Sequence, residues 1–499
     1  MPAMAEPYDA PPPRPEPHPA SGPRSGRESG RESGRGSGRG SGRDPGRDPE
    51  RDRLSGRLLR FAQVGAGLGR AGIAFQANRL RGGDDVNARN ARLIKEALGG
   101  LKGPLMKAAQ MFATVPDLLP PDLARELGEL QTNAPPMGRG FVRRRMAAEL
   151  GPDWASRFAS FELDAAAAAS LGQVHRATAL DGRKLAVKLQ YPEMQSAVES
   201  DLGQLRAVFA LVKRMSGAID PTEIAEEIGD RLREELDYGR EARAMQLYGR
   251  FFADTACIVA PEPVEALCTR RLLTMTWLDG QGLLAFKAAD QETRNRIAAL
   301  LFEAWWSPMI SLGVIHGDPH LGNYTFAGEA GRAERLNLLD FGCIRIFPPR
   351  FVAGVVRLYR ALLADDQAEQ RHAYESWGFQ GLSDELIEVL NVWARFIYGP
   401  LLDDRVRTVA DGVAPGEYGR REAFRVRQAL QERGPVRIPR EFVFMDRAAI
   451  GLGSAFLHLG AAHNWHDLFQ ATLRDFDEGA LARRQAEALA GAGLTPAAD

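Results

Sequence analysis

Large apolar residues are almost absent from residues 1–53 and return in helical spacing directly afterwards. Leu58, Leu59, Val64 and Leu68 open this second regime. Leu93, Ile94, Leu98, Leu101, Leu105 and Met106 continue it at steps mostly of three and four, the spacing that lines one face of a helix. Pro116, Pro120 and Pro121 break the pattern, and Asp122–Gln131 is predicted as a further short helix. Strand-like segments follow. Ser170–Leu180 and Lys184–Leu189 flank Asp181-Gly182, a good hairpin turn. Glu223–Met245 predicts one long, highly charged helix, and Cys257–Ala260 and Leu272–Trp277 the next two strands. Beyond Gln281 the pattern is mostly helical. The expected division is a tail (1–53), a helical extension (54–140), a small sheet-and-helix lobe (141–280) and a helical lobe (281–499).

Composition changes this picture only at the N-terminus. Pro dominates the first twenty positions, and Arg then recurs every fourth residue from Arg27 to Arg51. Without large apolar residues such a segment cannot bury a core, so a disordered, solvated spacer is expected. Its Arg residues are nearly matched by Glu and Asp, and the whole chain carries a net charge of −1, so nothing calls for a nucleic-acid partner. Cys257, Cys268 and Cys343 lack ligand spacing and read as reduced thiols in a reducing compartment. No secretory signal is expected, because the N-terminus has no apolar core region. Phe61–Phe75 carries Gln63 and Arg70, and Ala448–Ala462 carries His458 behind Asp446 and Arg447. Neither matches the ~20 uninterrupted apolar residues of a spanning helix. A soluble, cytoplasmic protein, with peripheral attachment at the inner membrane left open, is expected.

The chemistry concentrates between His316 and Gly342. This stretch reads His-Gly-Asp-Pro-His-Leu-Gly-Asn, then a short strand-like run at Leu336–Leu339, then Asp340-Phe341-Gly342. In kinase-type phosphoryl transfer a loop Asp faces the acceptor hydroxyl or water. A loop Asn and the Asp of Asp-Phe-Gly bind Mg²⁺ on the phosphates of ATP. Asp318, Asn323 and Asp340 occupy those three places.

Lys188, in Leu-Ala-Val-Lys-Leu, stands where a strand lysine pairs with the α- and β-phosphates, and it needs an acidic partner. Glu235 and Glu241, on the charged helix, are both candidates. Strand, acidic helix and metal loops follow in kinase order, so the expected fold is α+β, a bilobal protein-kinase-like architecture. Where a glycine-rich loop would cover the phosphates, Ala165–Ala169 stand instead, followed by Ser170-Leu171-Gly172-Gln173-Val174-His175. Alanine restricts the backbone more than glycine, so Ala167, Ala168, Ala169 and Ser170 are expected to form a stiffer phosphate cover. A local helix fragment is the competing reading of the five alanines.

Taken together, the alanine run with Ser-Leu-Gly-Gln-Val-His, Ala-Val-Lys-Leu-Gln-Tyr-Pro, Glu-Leu-Asp-Tyr and the two metal-loop motifs resemble the UbiB/AarF atypical kinase family over roughly residues 55–465. Members assist coenzyme Q (ubiquinone) biosynthesis. Without strong C-terminal spans, the chain is more similar to the mitochondrial-type members. The resemblance implies that Lys107 and Gln110 match the Lys-x-Gly-Gln signature of a helix folded over the active site, with Ala109 in place of its glycine. It also implies that Glu235 and Asp237 hold Lys107, which leaves Glu241 for Lys188. Met275–Trp277 match the hinge whose backbone groups would hold adenine. His316 is expected to orient the catalytic loop and His320 to line the site.

The implied activity is that of an ATPase or small-molecule kinase tied to anionic lipid membrane surfaces and to quinone-biosynthesis enzymes. Self-association is compatible with the sequence. A nucleotide-regulated scaffold, and a phosphotransferase of the aminoglycoside/choline-kinase type, are the alternatives.

Overall fold

The computed structural model describes residues 137–169, 171–192, 194, 198, 229–230, 232–318, 320–328, 333–379, 381–411 and 440–496. The tail, nearly all of the helical extension with Lys107 and Gln110, the Phe61–Phe75 and Asp122–Gln131 segments, and Ser170 lie outside the described residues.

The chain enters through α1 (Arg139–Leu150) and then builds β1 (Ser160–Phe161), β2 (Ala167–Ala169), β3 (Gly172–Thr178) and β4 (Lys184–Gln190). Next come α2 (Tyr238–Phe251), β5 (Ile258–Val259) and β6 (Leu272–Thr276). Strands β1, β3, β4 and β6 pair in that order, antiparallel throughout, and β2 joins β3. The Asp181-Gly182 turn joins β3 to β4, with Gly182 at φ +87°, a region glycine enters without strain.

Strand alternation gives this sheet two working faces. On β4, Leu185, Val187 and Leu189 face outward against Val142, Met146 and Leu150 of α1. The i, i+4, i+8 spacing of those three residues makes one helical stripe. Each fully buried side chain there contributes about 1.5–3 kcal/mol. Ala186, on the opposite face, joins the larger core together with Leu273 and Met275 of β6. Lys188 shares that inward parity.

The remainder runs β7 (Gln281–Gly282), α3 (Gln291–Leu312), β8 (Val314–His316), β9 (Tyr324–Ala327), β10 (Arg335–Leu338), β11 (Ile344–Ile346), α4 (Pro349–Leu363), α5 (Gln367–Ser376) and α6 (Asp384–Tyr398). It closes with β12 (Val406–Thr408), α7 (Arg440–Leu459), β13 (Ala462–Asn464), α8 (Trp465–Leu473) and α9 (Glu478–Ala492). α3 is the pillar. Asp290 caps its start by accepting from the Thr293 amide, and Gly313, left-handed at φ +63°, ends it. The chain turns there straight into β8, so His316 arrives at a fixed place. β8 pairs antiparallel with β11, bringing His316 opposite Ile344.

One expectation is corrected, one strand is located and one competing reading is excluded. The charged helix predicted over Glu223–Met245 does not run unbroken: residues 232–235 are helical, Leu236 is a turn, and α2 starts afresh at Tyr238. The cause is Asp237, whose carboxylate accepts from the Gly239 and Arg240 amides as an N-cap. The strand expected at Cys257–Ala260 is found as β5, which pairs parallel with β10 in a second sheet ordered β5-β10-β9-β7. The alanine run is not a helix fragment, because β2 lies antiparallel on β3 with Ala169 opposite Gly172. Among the described residues no helix is long and apolar enough to cross a membrane.

Candidate active site

Lys188 is buried, and its ammonium donates to both carboxylate oxygens of Glu241, at 2.8 and 3.1 Å. It also donates to Oδ2 of Asp340 at 3.0 Å. Glu241 sits one turn into α2, and its Oε1 additionally accepts from the Phe341 amide at 3.4 Å. Strand β4, helix α2 and the Asp-Phe-Gly loop thus meet at one cation. Glu241 is the carboxylate that grips Lys188. Glu235, the other candidate, is also buried, with its Cγ lying 3.4 Å from where a Cβ on Gly342 would stand. Asp237 caps α2 through Oδ1. The expected grip of Glu235 and Asp237 on Lys107 falls outside the described residues.

The two loops of the second motif are tied together by their backbones. Asn323 accepts at its carbonyl from the Leu339 amide, 2.9 Å, directly before Asp340. Its side-chain Nδ2 donates to the Asp318 carbonyl at 2.9 Å, which leaves the amide oxygen as the end able to bind a metal. Asp340 is oriented by the Gly342 amide on Oδ1, 3.0 Å, and by His316 Nε2 on its backbone carbonyl. Gly317 packs against this platform: a Cβ there would stand 2.5 Å from the Cys343 carbonyl. His316 therefore orients the loops, as its place in the motif suggests. His320 is exposed and accepts from the Gly322 amide at 3.1 Å.

Electrostatics follow from this packing. For Lys188, burial works against the charge, but Asp340 and Glu241 outweigh it and hold the ammonium well above its usual value. For Asp340, burial also opposes ionisation, and Lys188 and the Gly342 amide pull the carboxyl below its usual range. Glu241 behaves differently: burial pushes it up to about 7, against the pull of Lys188.

At the hinge, the Trp277 amide donates to the Lys184 carbonyl at 2.9 Å and the Thr276 amide to the Glu262 carbonyl at 2.9 Å. Both amides are thus engaged by neighbouring backbone. Met275 lies inward beside Ala186. The Trp277 indole points to the rim, under the Arg176 guanidinium at 4.8 Å and donating to Asp279. Ala167 and Ala168 are exposed and Ala169 half-buried on β2.

Residues 129–373 match the family described as the ABC1 atypical kinase-like domain. That stretch of the chain is an ABC1 atypical kinase-like domain. It is 27% identical over 328 residues to the mitochondrial atypical kinase COQ8 of Saccharomyces cerevisiae, covering 64% of each chain. It is 29% identical over 321 residues to mitochondrial atypical kinase COQ8B of Rattus norvegicus, covering 62% of this chain and 60% of that one. These matches span less than two thirds of the relatives' own length. A solved structure of Rv3197 from Mycobacterium tuberculosis, described as a complex with erythromycin, aligns with TM-score 0.53 at 25% identity, over 79% of this chain and 97% of that one.

The ABC1 site also fits a magnesium ion by its donor set. Asp340 and Asn323 offer hard oxygen ligands on adjoining backbone, as Mg²⁺ requires. Among the described residues no cluster of three or more His, Cys, Asp or Glu side chains could cage a metal alone.

Two features escape sequence reasoning. Tyr238 lies beneath Lys188, with the ammonium 5.2 Å from its ring centroid, and only its place in Glu-Leu-Asp-Tyr hinted at a role. Gln173 and His175, inside the supposed phosphate motif, turn outward and are buried. Their side chains contact each other at 2.8 Å, and Gln173 accepts from the Met137 amide at 2.7 Å.

Asp237 gives a prediction that separates cap from charge. Asp237→Ala is expected to cost about 0.5–2 kcal/mol through the lost cap, whereas Asp237→Asn keeps it. Thermal unfolding of both variants checks this. Equal melting temperatures for Asp237→Ala and the parent would remove the cap from the account.

Proposed function

We propose that this ABC1 kinase binds ATP with Mg²⁺ and transfers its γ-phosphoryl group to water or a small acceptor, in support of ubiquinone biosynthesis. The observation that carries the reading is the convergence of Lys188, Glu241 and Asp340 beside the Asp318–Asn323 loop. Asp340 and Asn323 would hold Mg²⁺, which when bound supplies positive charge against the phosphates. Lys188, fixed by Glu241, would grip the phosphate oxygens that reach it. Asp318 would orient the attacking oxygen, the new P–O bond forming as the bond to ADP breaks. Positioning and electrostatics do most of the work in such transfers.

The quinone assignment rests on the motifs and on the relatives' names. A cytoplasmic location with peripheral contact to anionic lipid at an inner membrane is part of the same proposal. The test is phosphate release from Mg-ATP by the purified chain, with and without anionic vesicles and a phenolic quinone-precursor mimic. Release stimulated by both additions supports the reading. Nucleotide binding with no release under any condition favours a nucleotide-regulated scaffold instead.

Acid should silence this site. Because Glu241 is raised to about 7 by burial, lowering the pH through that value protonates it and removes the counter-charge of Lys188. Phosphate release is expected to fall on the acid side of neutrality, and Glu241→Gln to be slow throughout and to lack that limb. The sign for stability is opposite. A carboxyl raised on folding stabilises the fold below its unfolded value of 4.5 and loses that contribution as pH rises through about 7. Inactivation near pH 6 is therefore expected without unfolding driven by Glu241, as rate and melting profiles against pH would show.

A further inference from the structure

The hydroxyl of Tyr238 is buried and has no hydrogen-bond partner among the described residues. An unsatisfied buried hydroxyl costs free energy that phenylalanine in the same place would avoid. The surroundings make the expense informative. The ring lies beneath the Lys188 ammonium, and the charges of Lys188, Glu241, Asp340 and Glu235 all act on the hydroxyl. Burial is the largest influence and keeps the group protonated, hence a donor. Its cover is the end of the alanine hairpin: a Cβ on Gly172 would stand 2.7 Å from the hydroxyl and 2.2 Å from the Leu189 carbonyl oxygen. Glycine is the residue that allows so close an approach.

We propose that Tyr238 is a binding residue for the polyphosphate chain, its hydroxyl donating to a phosphate oxygen held by Lys188 when Gly172 moves aside. The inference rests on the nucleotide reading above and adds a ligand contact to it. It explains why a donor is kept unpaired at the foot of Lys188, where an anionic oxygen is due. The alanine hairpin then acts on the phosphates through what it uncovers, as well as through its own backbone.

The test compares the full chain with its Tyr238→Phe and Tyr238→Leu variants for binding of Mg-ATP, Mg-ADP and adenosine, each titrated calorimetrically. Tyr238→Phe is expected to bind both phosphorylated nucleotides about tenfold more weakly, the size of a lost hydrogen bond to a charged group. Adenosine affinity should stay unchanged and the melting temperature equal or higher. Tyr238→Leu, which also removes the ring beneath the ammonium, should bind the nucleotides more weakly still. Parent-like nucleotide affinity in Tyr238→Phe would overturn the proposal, as would an equal loss for adenosine joined to a lower melting temperature. Failure of the parent to bind any nucleotide overturns the kinase reading itself, and this inference with it.

Discussion

Asp340→Asn is expected to lower Mg-dependent phosphate release by about 10²–10³-fold, the range seen when one preorganised charge-stabilising group is removed. The substitution preserves shape. Its side-chain oxygen can still accept from the Gly342 amide, and the backbone carbonyl remains available to His316. What disappears is the negative charge that faces both Lys188 and the place a metal would occupy. The rate at saturating Mg-ATP is the measurement, with the Mg²⁺ dependence followed alongside. Its optimum should move to higher Mg²⁺ as a ligand weakens. A variant within tenfold of the parent at every Mg²⁺ concentration would show that Asp340 is no metal ligand, and the reading would then lose its central residue.

Much of this site was legible because its motifs carry their geometry locally. The five-residue interval from Asp318 to Asn323 is one short loop, and Asp340 follows a strand that pairs with the strand after that loop. Register alone therefore brings the three residues together. Lys188 was legible for the same reason: alternation on β4 sets it inward, at the parity of Ala186.

What could not be read depended on contacts between segments far apart in sequence. The residues alone left Glu235 and Glu241 open, the resemblance favoured Glu241, and a helix break is what places it against Lys188. Periodicity ran the charged helix straight through Leu236-Asp237, because an N-cap changes the backbone without changing the hydrophobic spacing. Restarting the helix at Tyr238 puts Glu241 at the start of α2, facing the ammonium. Gln190 helps to fix the break by donating to the Leu236 carbonyl at 3.1 Å, a contact 46 residues long. The Gln-Val-His run gave no role to its polar residues. Gln173 and His175 have outward parity, and His175 stacks on Phe161 with ring centroids 5.4 Å apart. Burial holds that imidazole below its usual pKa, so it packs as a neutral ring.

The second large effect belongs to Lys188. Lys188→Met removes the ammonium that bridges Glu241 and Asp340, whose side chains are 2% and 31% exposed. Breaking a buried ion pair from one side typically costs about 3–5 kcal/mol, because the surviving charge is left without compensation. Glu241 would answer by holding its proton, since burial and Asp340 both raise it once the ammonium is gone. The deficit should therefore depend on pH in a defined sense. Below the unfolded carboxyl value Glu241 is neutral in both states and the cost is small. As pH rises through the raised folded value the unfolded chain releases its proton first, and the cost grows. Denaturant unfolding at pH 5 and pH 8 measures the difference. Lys188→Met combined with Glu241→Leu removes both members, and apolar replacement of a whole buried pair is often neutral or better. The double variant is expected to regain most of the lost stability, to lose the pH dependence and to remain inactive. A single variant less than about 1 kcal/mol below the parent at pH 8 would mean that the charges are solvated after all. Recovery of stability without recovery of activity, in contrast, would show that the ammonium is kept for what it binds rather than for the fold it costs.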